Sequence, residues 1–305
     1  MTTAPAIPAD LVRDETAHQS KQFRWISRDG LRLSGEIWTP RTPSKPLPVL
    51  CLPGLSRNTK DFHAIAGILQ DRGYRVMALD YRGRGKSDWD PNWQNYTMPI
   101  ESQDIDDAIA HLNLDRFAVL GTSRGGLHAM AMGQRYDKRR LAGVILNDVG
   151  PRIEMRAIRR LAANIGRNMT HASFDALAKH LEHGMGPQFP TFTGADWLRY
   201  AHQLGSKQHD EVVLDYDAAL AHQLASLDEG APWPDLWPLF DSLEGVPLQV
   251  IHGETSDLLS RETCQAMQAR HQGMELITVK DQGHTPMLWD EETQLKIAGF
   301  LDRLS

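Results

Sequence analysis

The hexapeptide Gly121-Thr122-Ser123-Arg124-Gly125-Gly126 has the form G-x-S-x-G-G, and it stands between an apolar run at 117–120 and a stretch of helical spacing at 125–136. A sharp strand-to-helix turn at such a serine strains its backbone and lifts the hydroxyl clear of the sheet. Small flanking residues let neighbouring backbone pass close, and the helix start behind the serine adds partial positive charge. A serine hydroxyl is a weak nucleophile until a base takes its proton. Of the 13 histidines, His284 in Gly283-His284-Thr285-Pro286 is selected because it directly follows the last expected strand. The base in turn needs a carboxylate to orient it. Asp257 ends the loop His252-Gly253-Glu254-Thr255-Ser256-Asp257 after the preceding strand, and it is the expected partner. Asp148, in Asn147-Asp148-Val149-Gly150 after the strand at 141–146, is the alternative acid, and Glu254 a third candidate. All these groups stand at the carboxyl ends of strands, the edge where open α/β sheets place their sites.

Charge develops on the substrate oxygen during acyl transfer, so backbone donors are needed as well. Leu52-Pro53-Gly54-Leu55-Ser56 follows the apolar run at 49–52, and Gly54 would let the amide of Leu55 turn toward the serine. The amide of Arg124, directly after Ser123, is the second expected donor. Losing one such donor typically costs about 3–4 kcal/mol of transition-state stabilisation.

The elements that must position these groups follow a regular order. Two short strands at 22–27 and 31–39 flank Asp29-Gly30, a hairpin turn signal. Then come apolar strands at 49–52, 75–79, 117–120 and 141–146, alternating with helical patterns at 59–72, 100–112 and 125–136. This βα rhythm predicts an α/β fold with a mostly parallel central sheet flanked by helices. From 150 to 243 only helical patterns and loops are expected, and strands resume at 248–251 and 275–279, with helices at 261–270 and 291–304. The expected organisation is an N-terminal arm at 1–21, a core of 22–149 and 244–305, and a helical insertion at 150–243. The proline-rich Ala231-Pro232-Trp233-Pro234 marks the return path.

Bulk properties remove other classes. The chain has 305 residues, 24% of them charged, and a formal net charge of -6. Mild acidity provides no field for nucleic acid or an anionic membrane. No run of about 18 apolar residues predicts a span, and the first ten residues lack a secretory pattern, so a cytoplasmic location is expected. The two cysteines, Cys51 and Cys264, read as small core residues rather than a disulfide. His171, His180 and His183 show no H-E-x-x-H pattern, so no metal is expected. Arg152, Arg156, Arg159, Arg160 and Arg167 read as a solvated helix face, with a site for an acidic substrate group as the alternative. Phe189, Phe192, Trp197 and Trp233 would form either a pocket roof or the insertion's own core.

Together with Asp80-Tyr81-Arg82-Gly83-Arg84-Gly85-Lys86-Ser87-Asp88, a D-x-R-G-x-G-x-S segment, these motifs resemble those of α/β-hydrolases of the esterase and lipase type, over residues 22–150 and 245–304. The resemblance implies a helical cap at the insertion, and an acid loop of the kind that ends at Asp257. It also implies a serine hydrolase that cleaves a carboxylic ester or lactone through an acyl-enzyme, without cofactor, and whose partner is a small molecule. Pro53-Gly54 departs from the His-Gly that many members carry, which argues mildly against the C–C bond hydrolases of ring-cleavage products. Haloalkane and epoxide hydrolases use an aspartate where Ser123 stands. A ligand-binding receptor on the same fold is the non-enzymatic alternative, and monomer and homodimer both stay open.

Overall fold

The structure, a computed structural model, describes residues 19–40, 45–225 and 234–305. Most of the expected N-terminal arm and the tripeptide Ala231-Pro232-Trp233 of the expected return path lie outside the described residues. The chain enters through β1 (Lys21–Ile26) and β2 (Arg32–Trp38), an antiparallel pair joined at Asp29-Gly30, where Gly30 takes φ 91°. Next come β3 (Val49–Leu52), α1 (His63–Asp71), β4 (Val76–Asp80) and α2 (Met98–His111). Strand β5 (Phe117–Thr122), α3 (Arg124–Arg135) and β6 (Leu141–Asn147) complete the first half. Every residue of β3, β4, β5 and β6 is buried, the signature of parallel strands covered on both faces.

Residues between β6 and the next core strand form an inserted unit. It holds α4 (Met155–Asn164), β7 (Thr170–His171), α5 (Phe174–Met185) and α6 (Gly194–Leu204). It continues through β8 (Gly205–Gln208), β9 (Glu211–Leu214) and the short α7 (Ala221–Ala225). The chain then runs through α8 (Trp237–Asp241), β10 (Leu248–Gly253), α9 (Arg261–Arg270), β11 (Glu275–Val279) and α10 (Glu291–Asp302). The main sheet has eight strands in the order β1-β2-β4-β3-β5-β6-β10-β11. Two apolar layers, one on each face, hold it between the helices.

The insertion corrects one expectation: it contains strands. β7, β9 and β8 form a small antiparallel sheet. The pattern hides it because β7 has two residues and β8 reads Gly-Ser-Lys-Gln, mostly solvent-facing. Backbone pairing around His209, at φ 54°, makes this hairpin without an alternating apolar face. The aromatic question is resolved for three of the four residues. Phe189, Phe192 and Trp197 pack on one another and on Trp289, with Leu177, Tyr200 and Val212 completing the insertion's own core. Both cysteines are buried and free.

Candidate active site

Ser123 sits between β5 and α3 with φ 50° and ψ −113°. A non-glycine residue there carries strain of about 1–3 kcal/mol. Close packing imposes it. A Cβ on Gly125 would lie 2.0 Å from the carbonyl oxygen of Leu52, and one on Gly121 2.4 Å from that of Gly125. Only glycine lets α3 start this close to β3 and β5.

The Ser123 hydroxyl donates to His284 Nε2 at 2.9 Å. His284 Nδ1 donates to Oδ2 of Asp148 at 2.8 Å, which leaves the Nε2 lone pair facing the serine. Asp148 is fully buried. Its Oδ1 accepts from the Gly253 amide at 2.8 Å, and its Oδ2 also accepts from the Ser256 hydroxyl at 2.6 Å. Ser256 Oγ is itself held by the amides of Leu258 and Leu259, both at 3.1 Å.

This corrects the expectation for Asp257. The Asp257 carboxylate is taken by Arg160 on α4, through Nε at 2.6 Å and Nη2 at 2.8 Å. Arg156 adds a bond to the Asp257 carbonyl at 3.1 Å. Burial pushes the Asp257 carboxyl up, but the Arg160 guanidinium outweighs it and holds the carboxyl below its ordinary value. The physical reason for the exchange is strand order. β6 lies between β5 and β10, so a residue one step past β6 adjoins β5, the strand that leads into Ser123. Asp257 stands four residues beyond the end of β10, far enough to turn toward the insertion. Two arginines read as a solvated face thus fasten the insertion to the loop that carries Ser256.

His284 has a second anchor that the sequence reading missed. Its amide donates to Oε1 of Gln188 in the insertion at 2.9 Å, and the Gln188 carbonyl accepts from Thr255 Oγ1 at 2.7 Å.

The loop with Leu55 is fixed by its carbonyls. Pro53 O accepts from the Tyr81 hydroxyl at 3.2 Å, Gly54 O from the Arg57 amide at 3.2 Å, and Leu55 O from Arg84 Nε at 2.8 Å. Arg124 occupies the first position of α3, whose amide has no acceptor within the helix. A Cβ on Gly54 would stand 3.8 Å from Ser123 Cβ, so the two loops face each other.

Behind them lies a buried charge cluster built from the D-x-R-G-x-G-x-S segment. Asp80 accepts from the Thr59 amide at 2.8 Å and the Lys86 amide at 3.0 Å, tying the segment to the chain after β3. Arg84 is fully buried with Nη1 2.8 Å from Glu101, a charge contact; the same Nη1 donates to Arg82 O at 2.6 Å. Glu101, equally buried, also accepts from Arg124 Nε at 2.6 Å and His128 Nε2 at 3.2 Å. Burial alone would raise the Glu101 carboxyl, but Arg124 and Arg84 outweigh it and hold it well below the usual carboxylate range. Such a depressed group stabilises the fold above the ordinary carboxylate pKa and loses that contribution as pH falls. Glu101→Gln is therefore expected to cost about 3–5 kcal/mol at neutral pH, because it strands buried arginines. In urea titrations the gap to the unaltered protein should narrow as pH drops below about 4. A constant gap at every pH would contradict the ionised cluster.

Ser123 and His284 open on a cavity of about 180 Å³ between the core and the insertion. Its wall includes Leu55, Leu161, Ile165, Leu177, Leu181 and Met185. The wall can thus seat an apolar chain against the serine, and the Ser123–His284–Asp148 chain can move a proton from the hydroxyl to the imidazole. Among the described residues no group of three or more His, Cys, Asp or Glu could hold a metal ion, and no helix is long and apolar enough to cross a membrane.

Comparison with known proteins agrees with this architecture. A family model described as the alpha/beta hydrolase fold matches residues 48–291. A 3-hydroxybutyrate-oligomer hydrolase of Cupriavidus necator is 32% identical over 285 residues, covering 90% of this chain and 94% of that protein. The crystal structure of an alpha/beta hydrolase from Novosphingobium aromaticivorans superimposes with a TM-score of 0.87 at 34% identity, covering 94% of this chain and 99% of that one. A putative hydrolase from Rickettsia typhi shares the fold at TM-score 0.81 and 23% identity, covering 94% and 100% of the two chains.

Proposed function

The chain belongs to the α/β-hydrolase superfamily, and on that premise we propose that it is a serine hydrolase of carboxylic esters acting through an acyl-enzyme. The observation that carries the reading is the unbroken hydrogen-bond chain from Ser123 through His284 to Asp148 at the floor of a largely apolar cavity. Ser123 Oγ attacks the ester carbonyl while His284 Nε2 takes its proton. The tetrahedral intermediate collapses, its C–O bond breaks, and His284 delivers the proton to the departing alcohol. Water then attacks the acyl-serine with His284 again as base, and the acid leaves. Asp148 is the positioning carboxylate: it keeps the proton on Nδ1 and stabilises the imidazolium. The amides of Leu55 and Arg124 are the oxyanion donors in this reading. Its support is that three consecutive carbonyls of the Leu55 loop are already engaged elsewhere, and that the Arg124 amide heads a helix.

The similarity to a hydrolase of 3-hydroxybutyrate oligomers makes oligoesters of short hydroxy acids the first substrates to test. A pH-stat assay with linear 3-hydroxybutyrate dimer and trimer, beside p-nitrophenyl acetate and butyrate, should show acid release from both series. Absence of turnover on every ester, together with cleavage of a vinylogous diketone, would replace this reading with C–C bond hydrolysis. Saturable binding of esters without turnover would favour a receptor.

A further inference from the structure

The cavity over Ser123 has a one-sided charge. Three arginines line it, Arg57, Arg160 and Arg167, and no aspartate or glutamate does, in a chain whose formal net charge is -6. Two of the three are already neutralised. Arg57 is clamped by Asp61 through both Nε and Nη2 and lies over the Tyr200 ring at 4.6 Å. Arg160 is clamped by Asp257. Arg167 differs. It stands just past the end of α4, exposed, and its side chain has no ion pair or hydrogen bond among the described residues. Its neighbour Asn168, at φ 48°, lines the same cavity.

A cation without a partner on the wall of an apolar cavity favours one kind of occupant, an ester that also carries a negative group. Guanidinium matches a carboxylate in geometry as well as in charge, and it forms paired charge-assisted hydrogen bonds. We infer that the cavity selects esters bearing a free carboxylate and that Arg167 reads it. This rests on the ester-hydrolase reading above and narrows its substrate class. Arg57 and Arg160 keep the wall free of net negative charge, so a substrate anion meets no repulsion between Arg167 and Ser123. The neutralised pairs also explain why the specificity should rest on Arg167 rather than spread over all three. An exposed cation acts through a partly screened field, so the selection should weaken as salt rises.

The test compares kcat/KM for the 3-hydroxybutyrate dimer as free acid, for its methyl ester cleaved at the internal bond, and for p-nitrophenyl acetate. Wild type should prefer the free acid over the methyl ester by about tenfold at low salt, a preference that shrinks at 0.5 M NaCl. Arg167→Gln should cost the free acid about tenfold while the methyl ester and the aryl acetate stay within about twofold. Arg167→Lys should recover part of the loss. Equal wild-type rates on acid and methyl ester, with the aryl acetate still cleaved, would overturn the carboxylate assignment and leave the hydrolase reading intact. An equal loss on all three substrates in Arg167→Gln would overturn it too. Failure of wild type on every ester would remove both.

Discussion

Ser123→Ala is expected to lower kcat for any ester the protein cleaves by about a million-fold, close to the uncatalysed background. Ser123 is the lining hydroxyl that is hydrogen-bonded to the His284 imidazole. Thr122 lies on the wall, but its Oγ1 accepts from Asn147 Nδ2 at 3.2 Å. The fold should barely notice. Alanine keeps the Cβ that fits φ 50°, and only one hydrogen bond to His284 is lost, so stability should change by no more than about 1 kcal/mol. Full activity in the variant, with thermal denaturation unchanged, would place the nucleophile elsewhere.

The acid assignment carries the second large effect. Asp148→Asn should reduce kcat about 10,000-fold, with the fold intact. The carboxylate now accepts from three sides: His284 Nδ1, the Gly253 amide and Ser256. An asparagine must turn its NH2 toward at least one of them. Facing His284, it pushes the ring proton to Nε2, and the base can no longer accept from Ser123. Asp257→Asn is the discriminating partner. It removes a half-buried ion pair with Arg160, worth about 1 kcal/mol or less. kcat should stay within about tenfold, because the Asp257 carboxylate bonds Arg160 and the His284 ring bonds Asp148. Reversed magnitudes in the two variants would restore Asp257 as the orienting acid.

That contrast marks how far the chain could be read before its fold was known. Ser123 and His284 were legible because each is tied to a local event, a strand end with a glycine beside it. So was the sheet: every core strand from β3 to β6 is apolar along most of its length, as strands buried on both faces must be. The acid was ambiguous because two aspartates both follow strands. Choosing between them requires knowing that β6 lies beside β5, and strand order is a property of long-range pairing. Resemblance to a common acid loop favoured Asp257, and the hydrogen bonds favour Asp148. Glu101 was missed although a trace existed: it shares a helical stripe with Ile105 and Ala108, a charge on an apolar face. Three other acids on α2, Asp104, Asp106 and Asp107, blur that stripe in the sequence. Gln188 left no trace at all, since its partners Thr255 and His284 lie 67 and 96 residues away in the chain.

The central claim, that Ser123 attacks with His284 as its base, is tested most directly by covalent trapping. Folded wild-type protein, treated with a fluorophosphonate and weighed intact, should gain one adduct, mapped by peptide fragmentation to Ser123. Ser123→Ala should gain none, and Asp148→Asn should react far more slowly. An unlabelled wild type, or equal labelling of Ser123→Ala, would contradict the account.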